Sequence, residues 1–215
     1  KFSVVNVARS NTKLKQESPH IAEVVVDKLK FQLDKLKLNP RKVLIIGAGP
    51  LGMEVFNRLK KDFDVQKYDK LEDLSDFNNP FLDSILGKFD MIVGTTGKEI
   101  INVSSHKYLK KGVILASASS SDREFQAESL RKLLPKSNNC HENAAVKSII
   151  LLNSGFPINF DGGRISVEMS KIQLTRGLML GAIYLSIING YEKGIIELDN
   201  QFQEGVMKFS NKTFK

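Results

Sequence analysis

Apolar side chains recur along this chain in two rhythms, and their alternation already suggests an architecture. Val43-Leu44-Ile45-Ile46 is an uninterrupted apolar run of the kind buried on both faces of a sheet. Beyond it Leu51, Val55, Phe56 and Leu59 recur at helical spacing, and Asp64–Tyr68 reads as the next strand. Phe89–Val93, Val113–Ala116 and Ser148–Leu152 follow as further strands. After Ala116 a serine-rich turn leads toward a helix. There Ser121 and Glu124 are spaced as a capping box ahead of Phe125, Ala127, Leu130 and Leu134. From about Val167 the pattern is mostly helical. Strands alternating with helices predict an α/β fold, a doubly wound parallel sheet with flanking helices.

The first forty residues read differently. Phe2–Ala8 is extended, and Ile21, Val25, Leu29, Leu33 (or Gln32) and Leu36 then recur at helical spacing from about Pro19 to Leu38. Ser18-Pro19 suits a helix entry, and Asn39-Pro40 suits an exit.

Composition narrows the class. The 215 residues are 41% hydrophobic and 26% charged, which excludes disordered and collagen-like chains. A single cysteine excludes an internal disulfide and a Cys-rich metal site, and it fits a reducing, cytoplasmic setting. The longest apolar run, Leu178–Ile188, is about half a membrane span, so no membrane partner is expected. The net charge of +8 is concentrated at the start: residues 1–42 hold ten Lys and Arg against four Asp and Glu. Lys28, Lys30, Lys35 and Lys37 there read as the solvated face of a helix rather than a nucleic-acid surface. Cys140 and His141 are neighbours in sequence, and His20 and His106 lie far from them, so no metal site is expected. His106 reads as a surface histidine.

The stretch that carries chemistry is Gly47-Ala48-Gly49-Pro50-Leu51-Gly52, set between the apolar strand and a helix. Gly47 allows a tight turn, Gly49 lets the backbone approach a pyrophosphate, and Gly52 lets the helix pack closely on the sheet. Asp69 stands 22 residues after Gly47, at the end of the following strand, where a carboxylate would accept both hydroxyls of an adenosine ribose. The pattern predicts a Rossmann-like domain that binds NAD, with NAD preferred because the carboxylate repels the extra phosphate of NADP. Lys67 and Lys70 flank Asp69 and soften that preference. Thr95-Thr96-Gly97 follows another strand at the same sheet edge, where hydroxyls and backbone would contact the nicotinamide ribose.

These residues resemble the cofactor domain of S-adenosylhomocysteine hydrolase. The resemblance rests on the order of Asn6-Val-Ala-Arg-Ser10-Asn-Thr12-Lys13, the glycine turn, Thr95-Thr96-Gly97, Asn159, Met169-Ser170 and Thr175. It implies a tightly held NAD that transiently oxidises a nucleoside 3′-hydroxyl so that a thioether can be eliminated. It also implies roles for Lys13 and Glu17 in catalysis, and for Asn159 and Lys70 beside the cofactor. On this reading residues 1–40 are a hinge-like leader and helix entering from an upstream substrate domain. Residues 41–165 are the dinucleotide-binding domain, 166–215 a helical return segment, and the protein a homo-oligomer.

The chain also departs from that family. Glu17 stands for an aspartate, Ser18 for an asparagine, Ala22 for a cysteine and Ala48 for an aromatic residue. Ser120 and Arg164 stand where two histidines are expected, and Phe209–Lys215 lacks the family's basic tail. Cofactor positions are mostly kept and proton-transfer positions mostly changed. The expectation is therefore an NAD-binding domain of a hydrolase-like protein acting on a nucleoside or thioether. A non-catalytic NAD-binding module is the first alternative, and an amino- or hydroxy-acid dehydrogenase the second.

Overall fold

The computed structural model describes residues 3–78, 81–135, 142–163, 166–189 and 193–213. In chain order its elements are β1 (Ser3–Asn6), α1 (Asn11–Leu36), β2 (Lys42–Ile46), α2 (Pro50–Leu59), β3 (Asp64–Tyr68), α3 (Asp83–Leu86) and β4 (Met91–Gly94). There follow β5 (Val113–Ser117), α4 (Ala127–Arg131), β6 (Ala144–Val146), β7 (Ile149–Leu151), α5 (Gln173–Asn189), β8 (Gly194–Glu197) and α6 (Asn200–Thr213). The chain divides into two compact units, Ala22–Ser166 and Lys1–Ile21 with Val167–Lys215.

The larger unit is built on a six-stranded sheet of order β3-β2-β4-β5-β7-β6. Every pairing is parallel except β6 with β7. The chain leaves β2 to one side for β3 and returns to its other side for β4. Strand order therefore reverses at β2, with Ile46 in register with Gly94 at the open edge. That reversal creates the crevice in which open α/β sheets place ligands. β2, β4 and β5 are buried almost throughout, as their continuous apolar runs require. Leu44, Ile92, Leu115, Phe89 and Phe125 are the large side chains of one contiguous core. The fold is Rossmann-like α/β.

In the smaller unit β1 and β8 form a two-stranded parallel sheet. Leu174, Leu178 and Ala182 of α5 are buried with Leu198, and Val5, Val7, Phe202 and Val206 pack on them. A Cβ on Gly181 would stand 2.1 Å from the ring of Phe202, so a glycine sets the spacing of α5 and α6.

Several expectations are corrected. The long helix starts at Asn11, eight residues ahead of Pro19, which lies inside it. Its cap is Ser10, whose hydroxyl oxygen accepts the Lys13 N–H at 3.3 Å. It ends at Leu36, where Lys37 takes a positive φ of 54° and the Lys37 and Leu38 N–H groups close on the carbonyls of Asp34 and Leu33. Lys28 is not on a wet face: it is 2% exposed and paired with Asp161. The helix after the serine-rich turn is only Ala127–Arg131, because Gln126 before it takes a left-handed conformation (φ 46°). Glu124 caps no helix, since its carboxylate turns to other partners. β6 and β8 are additional strands, the second lying between α5 and α6 in a chain that after Val167 is mostly helical, as expected. Cys140, His141 and Arg164 lie outside the described residues.

Asp90 ties the starts of the central strands together. Its carboxylate accepts the N–H groups of Arg41 and Lys42, each at 2.9 Å, and the Lys110 ammonium at 2.5 Å. Burial pushes its pKa up, but the Lys110 hydrogen bond and the two backbone donors outweigh it and bring the group from 3.8 to about 2. A depressed carboxylate contributes stability above its unfolded pKa, and that contribution is lost as pH falls from about 4 toward 2. Asp90→Asn should therefore cost about 1 kcal/mol at neutral pH, discounted for solvent screening. Urea unfolding between pH 2 and 7 should show a shallower acid limb for the variant. Parallel curves would contradict this account.

Candidate functional site

At the crevice beside β2 the backbone turns sharply from sheet to helix. Gly47 leaves Ile46 with φ +106°, a conformation that side chains disfavour. Its N–H donates to the carbonyl of Tyr68 at the end of β3. Pro50 is the first residue of α2, where its missing N–H costs nothing, and no side chain caps this helix. The N–H groups of Leu51 and Gly52 therefore lie in the first turn of α2, at its positive end.

Two glycines of the turn differ in what surrounds them. A Cβ on Gly52 would lie 1.8 Å from the Gly47 carbonyl oxygen and 2.7 Å from the Thr95 hydroxyl. Gly52 is thus a packing requirement. A Cβ on Gly49 would meet nothing within 4 Å. Gly49 instead borders a cavity of about 560 Å³ shared with Gly47, Tyr68, Asp69, Thr95 and Thr96. That volume lies in the range of ligand pockets, roughly 300–1,000 Å³.

Asp69 is held over this turn. Its Oδ2 accepts the Ala48 N–H at 2.7 Å and its Oδ1 accepts the Leu71 N–H at 3.0 Å. A carboxylate has about four acceptor positions, so two remain for a ligand. Lys70 lines the same cavity. Lys67 does not. Its ammonium is paired with Asp76 at 2.5 Å and stands 5.5 Å from the Phe56 ring centroid.

The threonine segment is committed inward. Thr95 Oγ1 lies 2.9 Å from the Gly47 carbonyl oxygen and 3.1 Å from that of Ile46. The N–H groups of Thr96 and Gly97 donate to the carboxylate of Glu124 at 2.6 and 3.1 Å. Thr95 and Thr96 line the cavity and Gly97 does not, and the polar groups of all three are largely engaged by the protein itself.

The remaining sequence-derived positions lie elsewhere. Asn159 is not among the residues lining this cavity, and its Oδ1 is buried without a hydrogen-bond partner. Lys13 and Glu17 belong to the smaller unit. Their side chains pair at 3.0 Å, and the Thr175 hydroxyl donates to Glu17 at 2.5 Å. Lys13 and Thr175 border a second cavity of about 420 Å³ within that unit. His106 is half-buried, its Nε2 3.1 Å from the Phe125 carbonyl oxygen, and burial lowers its pKa. It is part-buried rather than fully exposed, and it is not among the residues lining the cavity. Among the described residues no group of His, Cys, Asp and Glu could hold a metal ion. None of the described helices is long and apolar enough to cross a membrane.

Sequence reading missed Ile46, Tyr68, Leu82, Lys98, Glu99 and Ile100 as cavity residues, and Glu124 as the support of the segment after β4. All but Leu82 border motifs that were noticed, so extending each motif by a residue or three finds them. Glu124 carries no such signal.

Comparison with known proteins adds context. No protein-family model matches the chain. Two relatives, both described as uncharacterized proteins of Mycobacterium tuberculosis (strains CDC 1551 / Oshkosh and H37Rv), are each 38% identical over 192 residues. The match covers 86% of this chain and 37% of each relative, so the chain spans little more than a third of their length. Among solved structures, the NADPH-dependent glyoxylate/hydroxypyruvate reductase of Sinorhizobium meliloti aligns with a TM-score of 0.42 at 16% identity. That alignment covers 64% of this chain and 92% of the reductase. A probable 2-hydroxyacid dehydrogenase of Rhizobium etli, solved with NADP, HEPES and L(+)-tartaric acid, aligns with a TM-score of 0.46 at 13% identity, covering 92% and 71%. These comparisons give no specific support to the adenosylhomocysteine hydrolase resemblance.

The two glycines should separate by experiment. Gly52→Ala should lower stability by about 2–3 kcal/mol through steric conflict with the Gly47 carbonyl. Gly49→Ala should stay within about 1 kcal/mol of the parent. Chemical denaturation of both variants checks this, and equal losses would refute the assigned roles.

Proposed function

We propose that this chain is a nicotinamide-dinucleotide-binding module that prefers NAD to NADP and serves an oxidoreductase acting on a hydroxyl-bearing carbon. One observation carries the reading: Gly47 and Gly49 of the glycine turn, the latter directly preceding the uncapped α2, line a single cavity together with Asp69. The residues fit the group. Gly49 leaves open space where a Cβ would intrude on a pyrophosphate, and the Leu51 and Gly52 amides offer hydrogen bonds and a positive helix end to its charge. Asp69 retains acceptor capacity for two ribose hydroxyls, and Lys70 beside it tempers the charge. Thr95 and Thr96 contribute to the wall beside them, and Gly97 is not among the residues lining the cavity. In this organisation residues 41–165 hold the dinucleotide, with the leader 1–40 and the segment 166–215 attached. A bound nicotinamide ring supplies the hydride acceptor or donor.

Between substrates, a hydroxy acid asks less of this sequence. Its oxidation requires hydride transfer and one proton acceptor. The nucleoside hydrolase cycle also needs proton-transfer histidines, for which Ser120 and Arg164 stand here. One observation favours the second reading, adenosylhomocysteine hydrolase-like chemistry. Lys13 is oriented by Glu17, which is itself fixed by Thr175, as an ammonium placed for proton transfer would be.

Titration calorimetry with NAD and NADP tests the binding reading. The parent should bind NAD saturably and more tightly than NADP. Gly49→Val should abolish binding while its circular dichroism matches the parent, and Asp69→Ser should shrink the preference for NAD about tenfold. Unchanged titrations in both variants would place the dinucleotide elsewhere.

A further inference from the structure

The dinucleotide cavity takes five of its lining residues from one short segment, Thr95, Thr96, Lys98, Glu99 and Ile100. A segment with little regular structure makes a poor wall unless something fixes it. Here a single residue holds it at two points. Glu124 Oε1 accepts the N–H groups of Thr96 and Gly97 at 2.6 and 3.1 Å, and the Thr96 hydroxyl lies 3.2 Å away. The main-chain carbonyl of Glu124 accepts the N–H groups of Ile100 and Ile101, each at 2.9 Å. Oε2 accepts the Ser117 hydroxyl at 2.6 Å, which anchors the clamp to the end of β5.

The surroundings are adapted to this carboxylate. Glu124 is 0% exposed, and no described Lys, Arg or His forms an ion pair with it. Gly94, at the end of β4, leaves it room: a Cβ there would lie 2.6 Å from Oε2. Burying a carboxylate without a cation is expensive, and neutral residues of similar size would fill the space without that desolvation. What the charge adds is short, directional hydrogen bonds to two consecutive backbone amides.

We infer that Glu124 is a positioning residue for the dinucleotide. It clamps the segment Thr95–Ile101 and thereby sets the cavity's affinity, without touching the ligand. This inference rests on the dinucleotide reading above.

Two measurements on the full chain test it together. Glu124→Gln keeps the shape, with its carbonyl oxygen toward the two amides and its NH2 toward the Ser117 hydroxyl, but exchanges a charged acceptor for a weaker neutral one. Hydrogen exchange at Thr96, Gly97, Ile100 and Ile101 should accelerate about tenfold, while the amides of β2, β4 and β5 keep their protection. NAD affinity by calorimetry should fall about tenfold in the same variant. A general loss of structure would instead raise exchange across all strands, and that outcome overturns the inference. So does a loosened segment with parental NAD affinity, or weakened NAD binding with parental exchange. Should Glu124→Gln fail to fold, Ser117→Ala removes one anchor of the carboxylate and should shift both readouts the same way, by about two- to fivefold. A parent that binds neither NAD nor NADP would sink the dinucleotide reading, and with it the affinity claim. The exchange arm would still report on the clamp itself.

Discussion

The close approach of α2 to the turn that precedes it governs the site. The Gly47 carbonyl oxygen occupies the space where any other residue at 52 would carry its Cβ, and the Thr95 hydroxyl presses in from β4. With a side chain at 52 the helix start would be displaced, and with it the amides of its first turn. The same Thr95 hydroxyl reaches back to the Gly47 carbonyl, so the loops after β2 and β4 are joined where strand order reverses. Turn, helix start and opposing wall are therefore one mechanical object. Its rigidity comes from contacts between backbone and small groups rather than from bulky packing.

Much of the sheet was legible from residue pattern. β3 has the bounds that its sequence suggests, and β2 and β5 differ from expectation by a single terminal residue, because uninterrupted apolar runs bounded by turn residues admit few alternatives. The glycine turn and Asp69 were legible because their chemistry is local. β6 and β8 were not. The first has three residues and the second is mostly exposed, so neither carries a periodicity that a window could detect. The start of α1 was hidden by Ser18-Pro19, a plausible entry that lies inside a helix already capped at Ser10.

Glu124 shows the harder limit. Its spacing from Ser121 imitates a capping box, and the residues it serves lie 27 and 28 positions earlier in the chain. Their meeting depends on β4 and β5 being adjacent and in register, with Gly94 beside Ser117. Tertiary pairing of that kind leaves no trace in local sequence. Lys28 makes the same point on a smaller scale, since only the fold brings Asp161 to it.

The double attachment of Asp69 has a consequence for how such a site can diversify. One oxygen secures the glycine turn through Ala48 and the other secures the start of the next segment through Leu71. A residue that would discriminate between ligands is thus also a strut. A replacement that lacks two acceptor oxygens leaves the Ala48 or the Leu71 N–H without this partner, so the charge offered to a ligand at 69 is coupled to the integrity of the turn. If the cavity holds a dinucleotide, a single substitution at 69 that shifts its preference would also loosen the turn, and a second would be needed to recover the lost support.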